Sequence, residues 1–245
     1  MRNFLVEIAY NGARYHGYQV QKNALTITEV LQNAIEATLH KREPIVGCSR
    51  TDAGVHANSY FFNMKTELPI PMDKFVLVMN GKLPPDIVVL SCKEVPLDFH
   101  ARYDCRGKEY IYRIYNCPVK DPFQSDFAMH YQRPIDEKKL DRLSQTLVGT
   151  HDFSAFCTIG RAKEGSMVRT VEYIHWYREG DVVSMKIRAD GFLYNMVRII
   201  VGTMIYINEG RIGEDRLPLI LESKDRKLAG KTAPPQGLYL NHIDY

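Results

Sequence analysis

Cysteine is scarce: the 245 residues contain five, an odd number, at positions 48, 92, 105, 117 and 157. No two form a Cys-x-x-Cys pair and the eight histidines include no His-Glu-x-x-His motif, so the usual signatures of a zinc site or a disulfide scaffold are missing. Long apolar runs are missing too. The longest, Met196 to Ile207, covers about a dozen positions and is broken by Arg198, well short of the roughly 20 residues a membrane helix needs. The first residues, MRNFLVEIAY, place Glu7 inside what would have to be an apolar core and end in no small-residue cleavage site. No secretion signal is read, no membrane partner is expected, and the expected location is the cytoplasm. Charge of one sign is also lacking: 32 Lys and Arg against 29 Asp and Glu leave a net +3. Residues 1–100 balance ten against ten, whereas 101–245 carry 22 basic and 19 acidic side chains. That excess permits a polyanionic partner without requiring one, because phosphate is bound by clustered cations. What remains is 45% hydrophobic and 25% charged, a globular mix that excludes disorder, collagen and coiled coil as dominant states.

Hydrophobic periodicity organises the chain into two halves. Phe4, Val6, Ile8 and Tyr10 alternate along a strand that ends at Asn11-Gly12. Thr26 with Glu29 three residues on predicts a capping box, and Leu31, Ala34, Ile35 and Leu39 recur at helical spacing up to the cationic close His40-Lys41-Arg42. A short strand at Ile45-Val46, a Gly-bounded loop from Gly47 to Gly54, a strand over 55–64, a helix near 72–80 and a strand over 86–95 complete the order β-α-β-β-α-β. The second half repeats that order: a strand at 108–116, a helix at 136–148, a hairpin with arms 168–177 and 182–189, an apolar helix starting near Gly191, and a last strand at 237–245. The expected fold is therefore α+β, two ferredoxin-like halves whose antiparallel sheets bury one face under helices and leave the other free to bind. The expected domains are 1–100, carrying the Gly-bounded loop, and 101–245, with a hinge near 96–106.

The stretch densest in polar residues and glycine is GCSRTDAGVHA, residues 47–57. Thr-Asp-Ala-Gly is sound turn chemistry, since Asp bonds its own downstream backbone and Gly tolerates positive φ. The same residues also suit a nucleophile or base: a carboxylate on Asp52, held ionised by a guanidinium such as that of Arg50. Gly47-x-Ser49-x-Thr51 fails the last position of a nucleophile elbow, and no Lys-Ser or Lys-Thr follows to make a phosphate-binding loop. His16, His56 and His100 stand at no metal-ligand spacing and are read as structural. In KEYIYRIY, 108–115, Tyr110 shares a strand face with Tyr112 and Ile114, either as a stacking platform for a base or as core. Arg198 lies in the nearly all-apolar GFLYNMVRIIVGTMIYI, and a guanidinium there needs an anion, either a scaffold acid or Asp52.

Eight segments in order decide among these readings. AYNGARYHGYQVQ (9–21), GCSRTDAGVHA, NGKLPPDI (80–87), DFHAR (98–102), GKEYIYRIYN (107–116), HDFSAF (151–156), GFLYNMVRIIVGTM (191–204) and TAPPQGLYL (232–240) resemble the tRNA pseudouridine synthase A family along essentially the whole chain. The resemblance implies two ferredoxin-like halves around a central active-site cleft. It further implies isomerisation of uridine to pseudouridine in the anticodon stem-loop of tRNA, at positions 38 to 40 in tRNA numbering, by a homodimer with no metal or organic cofactor. Carried over residue by residue, Asp52 is the catalytic nucleophile, and three residues bind substrate or support it. Tyr110 packs against the target base, Arg198 partners the Asp52 carboxylate, and Arg50 helps to displace the target nucleotide. Ser49 stands where the family commonly has Gly, and Ala189-Asp190 where Gly-Asn is frequent; neither change removes a reacting group. Two alternatives accompany this reading. Tandem RNA-recognition modules share the element order, although 107–114 does not fit the RNP1 octapeptide. A paralogous pseudouridine synthase acting at another RNA site would share the motifs.

Overall fold

The computed structural model describes residues 1–67, 69–158 and 165–245. By its contacts the chain divides into two units, Met1–Arg106 together with Tyr239–Tyr245, and Gly107–Leu238. The first begins with strand β1 (Arg2–Tyr10), helix α1 (Ile27–Leu39), β2 (Ile45–Gly47), β3 (His56–Thr66), α2 (Met72–Asn80) and β4 (Ile87–Val95), the expected β-α-β-β-α-β. Strand β1 lies between β3 and β4, antiparallel to both, and β2 pairs with the far end of β3 through Ile45 and Met64.

Helix α1 starts where its sequence says it should. Thr26 is extended and its hydroxyl accepts the Glu29 N–H at 3.4 Å, satisfying one of the free amides of the first turn. Its buried side chains are Ile27, Leu31, Ala34, Ile35 and Leu39, one stripe of a 3.6-residue period. Phe75 and Met79 make the matching contact from α2, with Phe75 edge-on to Phe4 at 5.9 Å.

The other face of this sheet was expected to be free, and segment 96–101 covers part of it. Asn3 and Asn63 are both buried there, and the Asn63 amide donates to Asn3 Oδ1 at 3.0 Å. Asn3 Nδ2 donates to the carbonyls of Pro96 and Phe99 at 2.8 and 3.0 Å, and Ala101 N–H donates to Asn63 Oδ1 at 2.8 Å. Two side-chain amides thus take the place of a ladder and fasten segment 96–101 across the strands, which also buries Leu5. This segment is part of the first unit, whose contacts extend to Arg106.

The second unit contains β5 (Gly107–Tyr115), β6 (Met129–His130), α3 (Glu137–Ser144), β7 (Gly149–Asp152), β8 (Val168–Glu179), β9 (Val182–Ala189), α4 (Met196–Asn208) and α5 (Arg216–Ser223). Its sheet runs β5-β9-β8-β7, all antiparallel, with β6 parallel on β5. Three differences from the sequence reading have structural causes. Helix α3 gives way after Ser144 to a 3₁₀ turn that carries Leu147 into the core. Helix α4 begins at Met196 rather than near Gly191, because Asn195 takes a left-handed conformation, φ 62°, through which no α-helix runs. The closing strand β10 (Leu238–Asp244) was read as the sixth element of the second half. It pairs in parallel with β3, Tyr239 against His56 and Leu240 against Ala57, so Tyr239–Tyr245 belong to the first unit. There the Tyr245 hydroxyl donates to the Ala101 carbonyl at 2.8 Å and its ring meets Phe61 and Phe99. Among the described residues no helix is long and apolar enough to cross a membrane.

Ten of the thirteen residues of α4 are buried, as its nearly continuous apolar sequence requires. One position admits no side chain: a Cβ on Gly202 would lie 1.7 Å from the carbonyl oxygen of Lys231. Here segment 230–233 crosses the helix, held by Gly230 N–H donating to Thr203 Oγ1 at 2.9 Å while that hydroxyl donates to the Ile199 carbonyl at 2.7 Å. Backbone cannot yield as a flexible side chain can, so Gly202→Ala is expected to destabilise the protein by about 1–3 kcal/mol. Urea unfolding of the variant beside the wild type checks this, and an unchanged midpoint would contradict the close crossing.

Candidate active site

In the first unit Asp52 sits on the irregular stretch between β2 and β3, which is fastened to a second irregular stretch, residues 11–26. Tyr18 N–H donates to the Thr51 carbonyl at 3.2 Å and Gly54 N–H to the Tyr15 carbonyl at 3.1 Å. The Tyr10 hydroxyl shares a hydrogen bond with Thr51 Oγ1 at 2.8 Å, and Gly12 N–H donates to His56 Nδ1 at 3.0 Å. Gly17 lies where the two stretches touch. It has φ +88°, and a Cβ there would stand 2.5 Å from the Thr51 carbonyl oxygen. The AYNGARYHGYQVQ segment therefore forms the bed of the loop. The Val55 N–H closes a turn on the Asp52 carbonyl at 3.2 Å, as the Thr-Asp-Ala-Gly composition predicted. Asp52 is half-buried and Arg50 is exposed.

A cluster of tyrosines lies beneath this loop. Tyr60, fully buried on β3, stacks on Tyr18 at 4.4 Å between ring centroids and meets Tyr10 at 5.8 Å. Its hydroxyl donates to the Ser49 carbonyl at 2.5 Å and faces the Ser49 N–H at 3.4 Å. Burial pushes the Tyr60 and Tyr18 hydroxyls well above the ordinary tyrosine range, so both stay protonated. Sequence reasoning passed over Tyr10, Tyr18 and Tyr60. Each occupies an apolar pattern and reads as core, and only their hydroxyl partners distinguish them. Of the histidines read as structural, His56 is buried against the Tyr239 ring at 4.6 Å, and His100 Nδ1 accepts the N–H groups of Arg102 and Tyr103. His16 is exposed.

In the second unit, Tyr110 on β5 is 7% exposed and meets Phe192 edge-on, 5.0 Å between centroids at 86°. Its register partner on β9 is Ile187, and Tyr112, two residues on, is fully buried. Arg198 is half-buried, in the first turn of α4 and not inside a long helix. Its Nε donates to the Ala233 carbonyl at 2.7 Å, one Nη donates to Asn195 Oδ1 at 2.9 Å, and its own carbonyl accepts the Ala233 N–H at 3.0 Å. The TAPPQG segment thereby positions this guanidinium, and the same segment accepts the Tyr112 hydroxyl at Pro234 O, 2.7 Å away. Burial raises the Tyr112 hydroxyl, and the Arg198 charge partly offsets that rise. Asp190, one of the residues departing from the family pattern, closes the strand pair: its carboxylate accepts the Thr170 N–H at 3.0 Å while its own N–H donates to the Thr170 carbonyl at 3.1 Å. Among the described residues no three His, Cys, Asp or Glu side chains lie together as a metal site would require.

Comparison with known proteins covers the whole chain. A family model described as tRNA pseudouridine synthase matches residues 8–104 and 143–245. Proteins named tRNA pseudouridine synthase A from Thermoanaerobacter sp. (strain X514) and Acetivibrio thermocellus are 46% and 43% identical to it over 245 residues, all of each chain. The protein of that name from Halalkalibacterium halodurans is 40% identical over 97% of this chain and 90% of its own. Among solved structures, a chain from a crystal structure of a Cbf5-Nop10-Gar1 complex is a remote likeness, with 12% identity and a TM-score of 0.40 over 96% of this chain and 57% of that one. With the family model matching most of its length and full-length relatives above 40% identity, this chain belongs to the tRNA pseudouridine synthase family.

Proposed function

We propose that the protein converts uridine to pseudouridine in tRNA, with Asp52 as nucleophile. The observation that carries this reading is full-length similarity to proteins named tRNA pseudouridine synthase A, 46% identical in the first case, combined with an Arg50-Thr51-Asp52 loop seated on a buried bed. The reaction is an isomerisation. The N1–C1′ bond of the nucleoside breaks, the freed uracil turns, a C5–C1′ bond forms, C5 loses its proton and N1 gains one. Atoms balance without a redox partner, so the residues must supply a nucleophile, a site from which water is excluded and a route for one proton. Asp52 meets the first need, as a carboxylate on a loop whose backbone is bonded on both sides. Tyr110 offers an aromatic ring already oriented by Phe192, and base-on-ring stacking helps to offset the few kcal/mol needed to extrude a nucleotide from a stem. By resemblance Arg198 is the cation that supports the Asp52 carboxylate, and exposed Arg50 is the side chain that helps to displace the target nucleotide.

The finer assignment follows the same resemblance: uridines 38 to 40 of the anticodon stem-loop, in the cytoplasm, by a homodimer, with no metal or organic cofactor. Release of tritium from C5-labelled tRNA transcript tests the chemistry, and mapping pseudouridine along the product tests the position. Asp52→Ala is expected to lower turnover by on the order of 10⁴-fold or more, the loss typical of removing a nucleophile, with tRNA still bound. Tritium release near the wild-type rate would refute the assignment. Tyr110→Phe keeps the ring, so tRNA affinity should stay within about twofold in a filter-binding assay even if turnover falls, whereas loss of a stacking ring costs about 1–3 kcal/mol. Because the substrate is a polyanion, the logarithm of the binding constant should fall linearly with the logarithm of salt concentration. A flat salt titration would exclude phosphate contacts as a source of affinity.

A further inference from the structure

Resting on the reading of Asp52 as nucleophile, we infer that Tyr60 and Tyr10 are positioning residues for the reaction: their buried hydroxyls fasten Ser49 and Thr51 and so aim Arg50 and Asp52. The Tyr60 hydroxyl lies against both backbone groups of Ser49, accepting its N–H at 3.4 Å and donating to its carbonyl at 2.5 Å. Two residues on, Thr51 is held twice, by the Tyr10 hydroxyl at Oγ1, 2.8 Å, and by the Tyr18 amide at its carbonyl, 3.2 Å. Ser49 to Thr51 lie outside the strands, and there these side-chain bonds do the work that neighbouring strands do elsewhere. Burial along the stretch follows the fastening: Thr51 is buried, Arg50 between the two fastened residues is exposed, and Asp52 is half-buried.

The rings themselves are fixed. Tyr60 is packed between Tyr18 and Tyr10, all three rings are at most 5% exposed, and the Tyr18 backbone is bonded at both its N–H and its carbonyl, the latter accepting from Thr28 at 3.0 Å. A hydroxyl on a ring that cannot move is a fixed point, and a loop bonded to two such points has little freedom to carry its carboxylate away from the reacting atom. Misplacement of a catalytic group by about 1 Å can cost about a hundredfold in rate. Neither tyrosine touches the reacting atoms in this role; both act through the loop backbone and the Thr51 hydroxyl.

Steady-state tritium release from C5-labelled tRNA, with thermal unfolding of each variant, tests the inference. Tyr60→Phe and Tyr10→Phe keep the stacked rings and remove one oxygen each. Each is expected to lower kcat about 10- to 100-fold while KM moves less than about threefold and the melting temperature changes little. A purely structural role would instead lower the melting temperature and leave kcat per folded molecule unchanged. The Tyr10–Thr51 bond gives a second, independent readout. Thr51→Ser, which retains a hydroxyl, should restore near-normal kcat, whereas Thr51→Val should match Tyr10→Phe, and the double variant should be no slower than either single one because all remove the same bond. Wild-type kcat in both Phe variants, or fully multiplying losses in the double variant, would overturn the inference while leaving Asp52 chemistry intact. An inactive wild-type protein would instead defeat the functional reading on which the inference rests.

Discussion

The organisation of the first unit follows from one constraint: irregular backbone taken out of water must find hydrogen-bond partners other than a strand ladder. The loop between β2 and β3 solves this by lying on a second irregular segment, so that two pieces of chain without regular structure complete each other's bonding. They approach so closely at Gly12 and Gly17 that no side chain fits at either. The same device recurs where Asn3 and Asn63 use side-chain amides to hold segment 96–101, and again where segment 230–233 crosses α4 at Gly202.

This arrangement separates rigid support from exposed polar side chains. The Asp52 loop rests on rings in a well-packed core, yet Arg50 projects into solvent and Asp52 is only half covered. In the second unit Arg198 follows the same logic. Its Nε and one Nη donate to neutral oxygens of Ala233 and Asn195, which fix the plane of the guanidinium. Fixing the plane matters because a guanidinium recognises an anion through a rigid fork of N–H groups, and a misaligned fork loses one of its two bonds.

What could be read in the sequence was whatever local period or local chemistry determines. Helix α1 was legible because Thr26 and Glu29 mark its start and Leu31, Ala34, Ile35 and Leu39 give it one apolar side. Asp52 and Arg50 stood out because a Gly-bounded loop rich in polar groups is unusual between two strands, although it was the order of eight motifs that assigned them chemistry. The rest depended on distant partners. An apolar helix without a polar side has no marked beginning, so α4 was started too early, and its true limit is set by the backbone angle of Asn195. Asn3 and Asn63 carry no local signal, and nothing near them in sequence reveals the carbonyls of Pro96 and Phe99. Tyr60 reads as one aromatic among several in SYFF, because a hydroxyl's partner leaves no trace in periodicity. The last strand was given to the nearer half, since its pairing with β3 joins residues some 180 positions apart, Tyr239 and His56.

That pairing bears on how the protein is made. Ribosomes deliver the chain from its amino terminus, so α1, α2 and the strands from β1 to β4 emerge first, and the strand that belongs beside β3 emerges only after residues 107–238 have been delivered. Until then the flank of β3 at His56 and Ala57, immediately after the Asp52 loop, is an open edge able to pair with another chain. The nascent first unit therefore carries an unfinished sheet until residues 239–245 have been delivered.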